Sequence, residues 1–120
     1  MEAGIQSHKD LTIWKNSISL VKEIYTITRE FPADEKFGIT QQMRRSAVSV
    51  PSNIAEGAGR ASKKEFAYFL SIAQGSLSEL ETQVIISREL GFMEDVKDIE
   101  GLIGGVRAMI WGLMRKLGGS

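Results

Sequence analysis

SVPSNIAEGAGR, residues 49–60, places one proline and two glycines near the middle of a chain in which apolar residues otherwise recur at helical spacing. Such a stretch suits an active site, a phosphate-binding loop, or a place where backbones pack closely. A proline inside a helix removes the hydrogen bond to residue 47 and costs about 3 kcal/mol, so a break is the default expectation. Apolar residues nevertheless keep their register across Pro51. The sequence therefore predicts one continuous helix over residues 35–59, kinked at Pro51.

The N-terminal side of this stretch predicts one further helix. Between residues 11 and 30, apolar side chains at steps of three and four form two adjacent stripes, which is typical of a helix that buries a wide face. Pro32 disfavours the helical conformation at Phe31 and therefore ends this helix. Asp34 is then the expected N-cap of the helix that contains Pro51.

The C-terminal side predicts two more helices. A glycine stop signal closes the central stretch, and Ser62 with Glu65 predicts a capping box for a third helix over residues 63–90. Gly91 is the expected end of that helix. Acidic residues shortly after it favour the positive end of a fourth helix, whose apolar seam continues to residue 117.

This pattern predicts an all-α fold, an antiparallel up-and-down four-helix bundle with its second helix kinked at Pro51. The length of 120 residues predicts a single domain over residues 1–120. Within it we expect residues 1–9 to form a flexible N-terminus and residues 118–120 a flexible tail. His8, the single histidine, is expected to be solvated.

The composition argues against several classes of protein. Lysine and arginine together number 15, as do aspartate and glutamate, so no overall charge attracts nucleic acid or anionic lipid. The absence of cysteine suits a reducing compartment. The N-terminal residues lack the pattern of a secretory signal, and no run approaches the roughly 18 apolar residues of a membrane span. We expect a cytoplasmic protein without a membrane partner.

The residues needed for catalysis are scarce. With one histidine and no cysteine, a nucleophile paired with a base is nearly excluded. Glu79 and Glu81 point about 200° apart on a helix, so they do not share one metal ion. The glycines at residues 57 and 59 lack the preceding strand and the Lys-Ser/Thr of a phosphate loop. We therefore predict no catalytic, cofactor-binding or metal-binding residues, and a protein that is not an enzyme.

The fourth predicted helix carries small residues opposite its apolar seam. Glycine inside a helix costs about 1 kcal/mol relative to alanine, which close approach of another helix compensates. A solvent face that tolerates glycine is the alternative, but such a face usually carries lysine and glutamate. We predict a subunit interface and hence a homo-oligomer. The candidate interface residues are Gly101, Gly105, Ala108, Trp111 and Gly112.

Charge is unevenly distributed along the chain. Residues 36–64 contain six basic residues against Glu56 alone, and residues 81–100 contain six acidic residues against two basic ones. Three interpretations stay open: complementary faces that meet head to tail in a ring, a basic patch that touches RNA phosphates, or ordinary solvated surfaces. The candidate RNA or partner contacts are Arg44, Arg45, Arg60, Lys63 and Lys64.

Together with FGITQQMRRSA (residues 37–47) and EFAYFLSIAQGSLSELETQ (residues 65–83), the central stretch resembles a bacterial four-helix bundle family. This S23 ribosomal protein-like family is encoded by intervening sequences within 23S rRNA genes, and the resemblance spans about residues 9–117. It implies an antiparallel bundle that assembles as a ring-like homopentamer. Close relatives are accessory proteins of diversity-generating retroelements, in which a basic pentamer engages a reverse transcriptase and RNA. The zero net charge of this chain departs from those relatives.

Seven positions match the family motif: Arg44, Arg45, Pro51, Asn53, Glu56, Gly57 and Arg60. We expect the amide of Asn53 to satisfy backbone groups that Pro51 leaves free. Helical spacing places Arg45, Ser49 and Glu56 on the outer side of the second helix. There, Arg45 or Arg60 of a neighbouring molecule is the expected partner of Glu56.

Two functions are consistent with these observations. The first is a non-enzymatic, self-assembling helical adaptor or scaffold. The second is an RNA-binding accessory protein that acts with a nucleoprotein or reverse transcriptase through its local basic patch.

Overall fold

The computed structural model describes His8 and residues 11–118, and these form four α-helices. The helices are α1 (Thr12–Thr28), α2 (Ile39–Ala58), α3 (Lys63–Glu89) and α4 (Lys97–Lys116), with a short 3-10 helix at Ala33–Glu35 between α1 and α2. No strand occurs in the described ranges. The predicted all-α class is therefore confirmed. The expected flexible ends fall outside the described residues, except for His8 and Gly118.

Each helix packs against two others. Helix α1 contacts α2 and α4, helix α3 contacts the same two helices, and the described residues show no close backbone approach of α1 to α3 or of α2 to α4. The result is an elongated body of 46 × 21 × 19 Å. Ser46 pairs with Glu79 and Ser49 pairs with Ser76, so α2 and α3 run in opposite directions. The up-and-down course of all four helices stays a prediction.

The core follows the apolar seams of the four helices. Leu20 and Ile24 of α1, Leu77 of α3 and Ile103 of α4 are completely buried, and one continuous cluster joins them. Burial of a leucine or isoleucine side chain contributes roughly 1.5–3 kcal/mol, so these seams supply most of the stabilisation. None of the described helices has the length and hydropathy required to cross a lipid bilayer.

The connection between α1 and α2 differs from the prediction. Helix α2 begins at Ile39 rather than at residue 35, because residues 33–35 form the 3-10 helix. The prediction that Asp34 caps α2 is wrong. Instead, Oε1 of Glu35 accepts a hydrogen bond from the backbone N–H of Ile39 at 3.3 Å, and Gly38 occupies the N-cap position without a side-chain hydrogen bond. Glu35 replaces Asp34 in this role because it is closer in sequence to the unpaired N–H groups at the start of α2.

The other helix ends agree more closely with the sequence. Ser62 is the N-cap of α3, and its Oγ accepts a hydrogen bond from the N–H of Glu65 at 3.1 Å. Gly91 ends the same helix with a φ of 81°, a left-handed conformation that glycine adopts without strain. The N–H of Phe92 donates to the carbonyl of Ser87 at 2.8 Å, as in a Schellman motif. These local signals confirm the predicted start and stop of α3.

Two residues near the ends of the chain make contacts within it. His8 is partly buried, and its ring packs edge-on against Trp14 with 5.1 Å between ring centroids, so the prediction of a solvated His8 is wrong. Gly118 has a φ of 76°, and its N–H donates to the carbonyl of Arg115 at 3.0 Å. Gly118 thus closes the last turn of α4, and the flexible tail stays a prediction.

Candidate partner-binding surfaces

Helix α2 passes through Pro51 without interruption, as predicted. Pro51 is buried within Ile39–Ala58, and Val50 and Ile54 on either side of it are fully buried. Core packing on both sides of the proline offsets the lost backbone hydrogen bond, which explains the continuity. The kink at Pro51 stays a prediction.

Asn53 bonds to a different backbone group from the expected one. Its Nδ2 donates to the carbonyl of Ser49 at 2.8 Å and to the Ser49 hydroxyl at 3.0 Å. The carbonyl that Pro51 leaves without a donor belongs to Ala47, six residues before Asn53 and on another side of the helix. The prediction that Asn53 compensates Pro51 is therefore wrong. The amide instead orients Ser49.

Ser49 lies between α2 and α3 rather than on the outer side of the bundle. It is partly buried, and its Oγ lies 2.8 Å from Oγ of Ser76, which is itself buried. One turn earlier, the hydroxyl of Ser46 donates to Glu79 at 3.2 Å. The outward placement of Ser49 is wrong, whereas Arg45 and Glu56 are exposed as predicted. Short hydroxyl side chains let the two helices approach each other here.

Gly57 is a position of close approach between α2 and α3. A Cβ atom at Gly57 would lie 2.8 Å from Cβ of Phe69 and 3.0 Å from Cδ1 of Phe66. Real side chains essentially never show such a short contact, so either helix would have to move. The packing explanation of the central stretch is thus supported at Gly57. The glycine permits contact between helices rather than a left-handed turn.

Arg60 is engaged within its own chain. Its guanidinium lies 2.8 Å from the Glu56 carboxylate and 3.7 Å from the Glu65 carboxylate, and it covers the Phe69 ring at 4.8 Å from the centroid. Glu56 thus has a partner within its own chain, and its pairing with a neighbouring molecule stays a prediction. Lys63 is exposed, as is Lys64.

Arg44 and Arg45 lie at a separate site from Arg60. The helical rise of about 1.5 Å per residue puts Arg45 roughly 20 Å from Arg60 along α2. The five cations predicted to form one patch therefore form two groups. Arg44 packs over the Tyr25 ring at 4.4 Å from the centroid, and its Nε donates to the Thr28 hydroxyl at 2.9 Å.

A groove between α1 and α2 surrounds Arg44 and Arg45, and we call it the basic groove. Phe37 is 80% exposed in it, and Nζ of Lys36 lies 5.5 Å from the Phe37 ring centroid. Neither Tyr25 nor Phe37 was among the predicted contact residues, and the one signal in the sequence was a phenylalanine that precedes the apolar seam of α2. The lining residues are Tyr25, Lys36, Phe37, Thr40, Gln41, Arg44, Arg45 and Val48, and none of them is acidic.

The small residues of α4 face outward as predicted. Gly101, Gly105 and Ala108 are exposed, and the glycines at 101, 104, 105 and 112 have no atom within 4 Å of a Cβ position. Trp111 is 46% exposed on one flank of this row and Leu102 is 38% exposed on the other. We call this surface the glycine face. No described residue packs closely enough on these glycines to explain their presence.

The two carboxylates considered for a shared metal bind different helices. Glu79 accepts from Ser46 of α2, whereas Glu81 lies 3.2 Å from Nη2 of Arg107 on α4. Among the described residues, no three histidine, cysteine, aspartate or glutamate side chains lie together in an arrangement that could hold a metal ion.

The family model described as "23S rRNA-intervening sequence protein" matches residues 9–112. The chain belongs to this family. No curated protein matches the chain itself. The relation to retroelement accessory proteins, which the resemblance also implied, stays a prediction.

Proposed function

We propose that this member of the 23S rRNA-intervening sequence protein family is a non-enzymatic, cytoplasmic scaffold or adaptor that acts by self-association through the glycine face of α4. The observation that carries the proposal is the open space beside Gly101, Gly105 and Gly112 on a helix that also exposes Trp111. Each of these glycines costs about 1 kcal/mol in helix stability relative to alanine, and none of the described residues packs closely enough to offset that cost.

A second helix packed on this surface would compensate that cost. Glycine and alanine let helix backbones approach closely, and the flanking Trp111 and Leu102 supply apolar area to bury. Large exposed aromatic residues are enriched in the centres of interfaces. The homopentamer implied by the resemblance is the stoichiometry that we expect.

Substitution of Gly105 tests this proposal. We expect Gly105→Gln to raise helix propensity and yet to shift the protein towards monomers, because its longer side chain occupies the space that a neighbouring helix needs. The measurement is molar mass by light scattering over a range of micromolar concentrations. Gly75→Gln is the matched control, since Gly75 is also exposed inside a helix with open space around it. A wild-type protein that is monomeric throughout would contradict the proposal.

Contact with RNA is the alternative function, and less of the structure supports it. Carboxylates of the same chain bind Arg60, and a long stretch of α2 separates Arg44 and Arg45 from Lys63 and Lys64. Were RNA bound through the arginine pair, Arg44→Ala combined with Arg45→Ala would abolish its salt-dependent retention, as measured by filter binding. Equal retention by wild type and variant would exclude those contacts.

A further inference from the structure

We propose that the basic groove receives the acidic turn between α3 and α4, residues 90–98, of a second copy of this chain. This inference rests on the proposed function, because it names the surface that meets the α4 side of a neighbouring subunit. It assigns a role to the groove and to the turn, neither of which the glycine face explains.

The groove offers cationic and apolar groups side by side. Lys36 and Arg45 are exposed, and the guanidinium of Arg44 is held in place by the Tyr25 ring and the Thr28 hydroxyl. Phe37 and Val48, the latter 41% exposed, add apolar surface. An occupant that complements the groove therefore needs carboxylates next to an apolar side chain.

The acidic turn has this composition. Leu90 is 57% exposed at its start, and Glu94, Asp95 and Asp98 are all exposed, with Lys97 as the one basic residue among residues 90–98. Hydrogen bonds within the turn, including the one from the N–H of Lys97 to Asp95 at 2.9 Å, hold its backbone. A preorganised segment loses little conformational entropy when it binds.

The groove and the turn occupy matching positions on the bundle. The rings of Phe31 and Phe92 lie 5.6 Å apart, so the α1–α2 connection and the α3–α4 connection are at the same end of the molecule. The groove lies between α1 and α2, whereas the turn joins α3 to α4. The two surfaces are thus near the same end of the bundle, and each belongs to a different pair of helices.

This placement determines how copies meet. When two copies stand side by side in the same direction, the turn of one meets the groove of the next, and the pair keeps one free groove on one copy and one free turn on the other. Such a contact is heterologous, so it generates a ring if the rotation closes. Asp98 and Gly101 lie three residues apart on one side of α4, so the approach that seats the turn also brings the glycine face towards the neighbour.

Charge reversal on each surface provides the test. Lys36→Glu with Arg45→Glu reverses the groove and spares Arg44, which has contacts within its own chain. Glu94→Lys with Asp98→Lys reverses the charge of the turn and spares Asp95, whose carboxylate accepts a hydrogen bond from the N–H of Lys97. We expect either pair to raise the dissociation constant of the oligomer at low salt at least about tenfold, because like charges then face each other. The chain with all four substitutions is expected to recover most of the wild-type affinity.

Sedimentation velocity measures the dissociation constants, and circular dichroism confirms that each variant is folded. Lys63→Glu with Lys64→Glu, the same charge change outside the groove, is expected to leave assembly unchanged. If neither charge reversal changes the dissociation constant, or if the folded chain with all four substitutions does not recover affinity, the contact between groove and turn is wrong. Self-association through the glycine face would remain possible in either case. Reversals that change only the retention of RNA would assign the groove to RNA and would also contradict the contact between groove and turn. A monomeric wild type overturns the proposed function itself.

Discussion

Leu77→Ala is expected to lower the free energy of unfolding by about 3–5 kcal/mol, the range for deleting a leucine side chain from a core that relaxes only partly. Leu77 is completely buried on α3, the longest helix, within the cluster to which all four helices contribute. Its removal takes away both transfer free energy and packing contacts. Urea denaturation monitored by circular dichroism measures the change.

Leu90→Ala is the matched control for this prediction. It deletes the same atoms from a leucine that is 57% exposed at the end of α3. Exposed substitutions usually change stability by about 0.5 kcal/mol or less. Similar losses for the two variants would contradict the assignment of the α3 seam to the core. Both measurements belong at a low protein concentration, where association contributes little to stability.

Gly57→Ala is expected to destabilise the fold by about 1–3 kcal/mol, the usual cost of overpacking. Alanine by itself favours a helix over glycine by about 1 kcal/mol, so a net loss in stability isolates the steric effect. The added Cβ would meet Cβ of Phe69 at 2.8 Å and the carbonyl oxygen of Phe66 at 3.2 Å. A backbone and a Cβ atom move only when the helices separate. Thermal and urea unfolding both report the loss.

Gly75→Ala has the opposite expected sign. Gly75 lies inside α3 with no atom within 4 Å of its Cβ position, so the substitution adds helix propensity without a clash. We expect a gain of about 0.5–1 kcal/mol. If Gly57→Ala were as harmless as Gly75→Ala, then α2 and α3 would separate at little cost and the packing role of Gly57 would be wrong.

Contacts between helices correct the predictions for the central stretch. Helical spacing assigned Ser49 to the outer side, but α2 packs against both α1 and α3, and Ser49 lies on the flank that contacts α3. Arg60 was expected to meet Glu56 of a neighbouring molecule, but the two residues are four apart and pair within one chain. A helical repeat defines an angle around one axis, whereas the position of a second helix depends on the whole bundle.

The sequence by itself determined the four helices, their apolar seams, the Ser62 cap and the Gly91 stop, because these depend on side chains within a few residues of one another. Only the tertiary structure decided which helix Gly57 approaches, that Arg44 packs on Tyr25, and that Phe37 lies exposed beside Lys36. Those features join residues from different helices, and their distances depend on how the apolar seams settle against each other.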